Sequence, residues 1–152
     1  CDFLKAKEMQ QKRDSETFKK SQADDLTNMQ TGIFGYKGRV HFQTGPCINE
    51  ELEALRGLPK TEVFTQVSAL IDRHIHRNYR LYPGNYVACD LLNGTETFAG
   101  KYTPEEKKRF EAYLQKKLDL IQLPNKDEDF LRQRILTMYA NPAINHLKAI
   151  AQ

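Results

Sequence analysis

Apolar positions recur at helical spacing along most of this chain, but the stripes they form differ in width. From Asp2 to about Arg13, and again from about Glu16 to Ile33, they thin to Phe3, Leu4, Met9, Phe18, Leu26, Met29 and Ile33. Stripes so narrow predict two polar surface helices, stabilised by whatever surface they dock on. Ser15 is the expected N-cap of the second helix, and Gly32 and Gly35 mark its end. From Thr61 to Leu81 the stripe is fuller. Val63, Val67, Leu70, Ile71, His74 and Asn78 share one side of a predicted helix, while Arg73, His76, Arg77 and Arg80 share the other at spacing i, i+3, i+4 and i+7. Pro83 and Gly84 then stop the helix. Thr103-Pro104-Glu105-Glu106 reads as a helix start, with threonine capping, proline in the first helical position and Glu106 reaching back. Phe110, Tyr113, Leu114, Leu118 and Ile121 carry its apolar face, and Leu123-Pro124 ends it. Asn125 or Asp127 opens the last helix on Phe130, Leu131, Ile135 and Met138. Asn141-Pro142 is expected to break or kink it before Ile144, Leu147 and Ile150 resume.

Period-two alternation occurs clearly in one place, Arg39 to Thr44. There Val40 and Phe42 point one way and Arg39, His41 and Gln43 the other, between Gly38 and Gly45-Pro46. Asn85 to Leu92 has no alternation and reads equally as a strand or a short helix, so the predicted strand has no evident ladder partner. Asn49 to Arg56 reads as a short helix capped by Asn49, with Glu50 and Glu51 in its first turn. The expected fold is therefore mainly α: six or seven helices with one lone strand, a small α+β fold at most. The expected organisation is a single region over 1–152, with polar helices in 1–34, a strand in 38–46 and helices over 49–152. The unpaired strand, together with a first residue that is Cys1 rather than methionine, leads us to expect a piece of a longer protein.

Composition narrows the function classes. The 152 residues are 39% hydrophobic and 28% charged, which fits a globular domain. No apolar run approaches the roughly 20 residues of a membrane helix, and no charged-then-apolar signal segment opens the chain. A net charge of +3 is too small to imply nucleic-acid binding, and no nucleic-acid partner is expected. Cys1, Cys47 and Cys89 are widely spaced and form no metal-type pair, so a reducing, cytoplasmic compartment is the expectation.

The strong local signatures of catalysis are absent: no nucleophile elbow, glycine-rich phosphate loop, zinc-protease helix or calcium loop occurs. His74 and His76 are the best metal-like pair, but residues two apart on a helix diverge by roughly 160°. His74 is expected on the apolar side and His76 in the basic stripe; His41 reads as a surface residue. No metal or cofactor is expected. The stripe of Arg73, His76, Arg77 and Arg80 remains as a candidate site for an anion or lipid headgroup, since guanidinium forks match phosphate oxygens. The competing reading is a solvated helix face paired with Asp72 or Asp90.

Three segments carry a likeness: Gly38-Arg39-Val40-His41-Phe42-Gln43-Thr44-Gly45-Pro46; His76 to Pro83 followed by Asn85-Tyr86; and Leu136-Thr137-Met138-Tyr139-Ala140-Asn141-Pro142. Together they resemble the C-terminal portion of bacterial glycerophospholipid acyltransferases of the 1-acylglycerol-3-phosphate type, in particular a Bacteroides-like subgroup. The resemblance implies a parent enzyme that moves an acyl group from a thioester to a glycerol-phosphate hydroxyl. It further implies an upstream catalytic region as partner, an anionic membrane surface nearby, and peripheral placement on the cytoplasmic side of the inner membrane. The family's diagnostic His-x-x-x-x-Asp pair and Glu-Gly-x-Arg-Ser segment are both missing. Five residues after His41, His74, His76 and His146 stand Pro46, Tyr79, Leu81 and Ala151, and no Glu-Gly pair occurs. No catalytic residue is carried over, and the chain is expected to be inactive alone. The alternative from another class is a stand-alone helical binding module whose basic face meets an anionic partner.

Overall fold

The computed structural model describes residues 2–151, so Cys1 and Gln152 lie outside the described residues. The chain is mainly α. Among the described residues there are seven α-helices: α1 (Asp2–Asp14), α2 (Gln22–Phe34), α3 (Asn49–Glu53), α4 (Lys60–Arg77), α5 (Pro83–Asn93), α6 (Pro104–Asp119) and α7 (Glu128–Ile150), with a short 3-10 turn at Ala99–Lys101. The longest, α7, is the centre of the fold: α1, α4, α5 and α6 all pack on it. Its buried side, Leu131, Ile135, Leu136, Ala140, Ala143 and Ala149, changes from large to small residues along its length. The small residues let α5 approach closely, and there Val87, Ala88 and Cys89 are fully enclosed. Helix α5 is also tight against α6, since a Cβ at Gly84 would lie 3.1 Å from the Phe110 ring.

Helix α7 is continuous across Pro142 rather than broken there. Proline has no N–H to give the carbonyl one turn back, so this turn is short of a donor. The carbonyl this leaves open is that of Met138; two side chains from α5 bond to the carbonyls that follow it, Asn85 Nδ2 donating to Tyr139 O at 2.9 Å and the Cys89 thiol lying 3.6 Å from Ala140 O. Asp127 caps the start of α7 by accepting from Phe130 N–H, and Thr103 with Glu106 forms the expected reciprocal cap on α6. Helix α1 is more than a surface helix. Its buried Gln10 donates to Asn125 O at 2.6 Å and accepts from Asp127 N–H at 3.1 Å, tying α1 to the α6–α7 connection.

Four sequence expectations need correcting. No strand forms over 39–44. Residues 38–48 run as an extended connection in which Val40 is 60% and Phe42 90% exposed, because the alternating pattern has no second strand to pair with. The second helix begins at Gln22, not near Glu16, because Ser21 and Asp24 form a reciprocal cap that Ser15 cannot match; Ser15 Oγ instead meets Thr17 Oγ1. Asn49 lies inside α3, whose cap position is Ile48. Helix α4 ends at Arg77 rather than Leu81, where Asn78 donates both its backbone N–H and its Nδ2 to His74 O. Tyr82 must be extended ahead of Pro83, which leaves residues 79–82 as a connector.

Candidate functional site

The line of residues expected to face inward on α4 does so: Val63, Val67, Leu70, His74 and Asn78 are all half-buried, whereas Ile71 is 42% exposed. The opposite face holds Arg73 and Arg77, one helical turn apart. Arg73 and His76 border a shallow depression of about 450 Å³ whose far wall is α7, with Asn145 and Lys148. Lys148 was not legible as part of this face, because only the packing of α4 on α7 brings it there. His76 is tied to α7 as well: its carbonyl lies 2.8 Å from His146 Nδ1, and its ring sits 5.4 Å from that of Tyr79.

Arg80 is placed differently from the other three. It follows the end of α4 and borders a second, larger cleft of about 720 Å³, opposite the extended segment 41–48. The structure thus brings Arg73, His76 and Arg77 together on one helix face, adds Lys148, and sends Arg80 round the corner. His74 borders the same cleft as Arg80, so the two histidines of α4 face different hollows, as their spacing predicts.

Among the described residues, Arg73, Arg77 and Arg80 form no ion pair, although Asp72, one of the two expected partners, borders the same depression as Arg73. Asp90, the other expected partner, is 2% exposed and turned inward, where it accepts from Thr95 Oγ1 at 2.9 Å, Phe98 N–H at 3.0 Å and Tyr102 Oη at 2.8 Å. Burial and that bond to Asp90 push the Tyr102 hydroxyl up to about 12. A second, partly exposed cluster joins α1, α6 and α7: Tyr139 and Tyr113 donate to Asp2 Oδ2 at 2.6 and 2.9 Å, with Lys117 3.5 Å from the other oxygen. Burial works to raise the Asp2 carboxyl, but the bonds from Tyr139, Phe3 N–H and Tyr113, with Lys117 beside them, together hold it below the ordinary value. Both clusters tie elements together, and Tyr113, Tyr139 and Lys117 of the second also border a cleft of about 680 Å³ between α6 and the end of α2.

No group of three histidine, cysteine or carboxylate side chains among the described residues could hold a metal ion. No helix among them is long and apolar enough to cross a membrane. The cysteines described, Cys47 and Cys89, are free. Neither the known protein families, nor the curated proteins, nor the solved structures contain a match to this chain.

Proposed function

We propose that this chain is the non-catalytic C-terminal region of a glycerophospholipid acyltransferase, and that it serves the parent protein as an anion-binding face. One observation carries the reading. The three separated segments that resemble this family meet in the fold: His41, Gln43 and Gly45 of the first, Tyr79, Arg80 and Tyr82 of the second, and Pro142 of the third border one cleft. Segments far apart in sequence that converge on one place have a common reason to be there. The uncovered Val40 and Phe42 support the same reading, because an upstream sheet would give them the ladder they lack here.

In this account Arg73, His76 and Arg77, with Lys148 beside them, lie toward an anionic bilayer on the cytoplasmic side of the inner membrane, and Arg80 lies at the corner nearest the catalytic region. Each basic group near such a surface contributes about 1 kcal/mol, so two arginines together change partitioning by roughly 30-fold where one alone has a modest effect. The test is co-sedimentation with anionic and with neutral vesicles, each at low and high salt. The unaltered chain is expected to bind anionic vesicles at low salt, and a chain with Arg73→Gln and Arg77→Gln to bind roughly 30-fold less. High salt should bring the two together. Equal binding in all four conditions would reduce the stripe to a solvated helix face. The stand-alone module reading rests on the same unpaired arginines; salt-dependent binding to anionic vesicles by a chain that associates with no acyltransferase region would favour it.

A further inference from the structure

Helix α2 has its two sides reversed. None of its residues is buried. Its half-buried positions, Asn28, Thr31 and Gly32, are polar or small and face the rest of the chain: Asn28 borders a small crevice against α1, and Thr31 and Gly32 border the cleft beside α6. Leu26, Met29 and Ile33, at spacing i, i+3 and i+7, point away from the protein and are 56%, 61% and 66% exposed. Phe34 and Tyr36 follow at 83% and 98%. A helix with its polar side inward and its apolar side outward draws its stabilising burial from a surface outside the chain.

Charge along the helix indicates which surface. Asp24 and Asp25 stand in its first turn. At the other end Lys37 folds its ammonium onto the carbonyls of Gly32, Ile33 and Gly35, and Lys116 and Lys117 of α6 border the same cleft as Lys37. The helix is thus acidic at one end and basic at the other, with the apolar stripe between. Such a face complements itself when a second copy is turned end for end. A two-fold axis near the middle of the stripe sets Leu26 of each copy toward Ile33 of the other, and Asp25 of each toward Lys37 of the other, so every favourable contact is made twice. A parallel arrangement would bring like charges together at both ends. Five large side chains at roughly 100–200 Å² each give on the order of 600 Å² per copy, near the roughly 800 Å² per partner of a standard interface.

We infer that this chain forms a two-fold dimer through the outer face of α2, with the two helices antiparallel. The inference rests on α2 and does not depend on the acyltransferase reading, whose anion-binding face lies on α4. The test is sedimentation equilibrium of the 152-residue chain from about 1 μM to about 1 mM, in reducing buffer because Cys47 is exposed and free. A monomer–dimer equilibrium is expected. Met29→Glu puts a carboxylate in the middle of the stripe at an exposed position, and should weaken association at least roughly tenfold without moving the urea midpoint of the monomer. Asp25→Lys and Lys37→Glu each set like charges against one another at both ends of the dimer, and each variant alone should associate roughly tenfold more weakly. Mixed in equal amounts, the two should regain the affinity of the unaltered chain, because each supplies the charges that the other lacks. Recovery on mixing separates a lost charge pair from a damaged helix. A chain that stays monomeric throughout overturns the inference and leaves the outer face of α2 to an upstream region of the parent protein or to a bilayer. A dimer indifferent to Met29→Glu, or charge variants that fail to recover on mixing, overturns it as well.

Discussion

Changing Ile135 to alanine is expected to remove about 2–5 kcal/mol of stability, the usual cost of truncating a fully enclosed branched side chain. Ile135 is wholly buried near the middle of α7, in the cluster that includes Leu114, Leu118, Leu131 and Val87. Four helices use α7 as their common packing surface, so a hole there cannot close by moving one neighbour without disturbing another. Urea unfolding should show a lower midpoint with an unchanged slope, because the surface exposed on unfolding stays the same. The matched change Ile75→Ala on the cleft wall of α4, where the side chain is half exposed, should cost less than about 1 kcal/mol. Equal losses at the two positions would mean that α7 is not the centre of the fold.

The second large effect is expected at Asp90. Its carboxylate is the shared acceptor for Thr95 Oγ1, Phe98 N–H and Tyr102 Oη, so it organises the whole connection from α5 to α6. Asp90→Ala leaves these donors without a partner, two of them in half-buried residues, and should cost roughly 3 kcal/mol. Asp90→Asn keeps one oxygen and should cost about 1 kcal/mol. The same cluster sets an alkaline limit. Tyr102 is held neutral in the folded protein up to about pH 12, whereas in the unfolded chain it ionises near its ordinary value of 10.0. Above that value the unfolded state binds fewer protons than the folded one. This contribution is therefore complete below pH 10 and is lost as the pH rises toward 12. Burial, with the bond to Asp2, also raises the Tyr139 hydroxyl, which adds in the same direction. Denaturant titrations between pH 9 and 12 should show this decline, and Tyr102→Phe should make it shallower. A slope unchanged in Tyr102→Phe would remove Tyr102 from the account.

Helix α5 shows what sequence patterning could and could not reach. Pro83 and Gly84 were read as the stop of α4, which ends earlier at Arg77, and the helix they open was read equally as a strand. Its residues Val87, Ala88, Cys89 and Asp90 are buried in succession, so no polar face marks the period of 3.6. The cap of α6 was legible because Thr103, Pro104 and Glu106 act on one another within a single turn. Ser21 and Asp24 form the same local device, yet the polar run around Ser15 drew the start of α2 too early. At 39–44 the alternation was real but insufficient, since a strand is a property of two segments and only one is present. The candidate site divides along the same line. Arg73, His76 and Arg77 share a face that helical periodicity alone reveals. The arrival of Lys148 and the departure of Arg80 depend on how α4 meets α7 and on where α4 ends.

The most direct test of the central claim is an acyl-transfer assay on the complete product of the reading frame that encodes this chain, run beside the 152-residue chain itself. Acyl transfer to a hydroxyl needs a positioned base and stabilisation of the developing oxyanion. On the function proposed above, the complete product is expected to move an acyl group from a thioester to an acylglycerol phosphate, using an upstream His-x-x-x-x-Asp pair, while the chain alone gives none. Transfer by the chain alone that is abolished by changing His41, His74, His76 or His146, or a complete product with no transfer at all, would contradict the account.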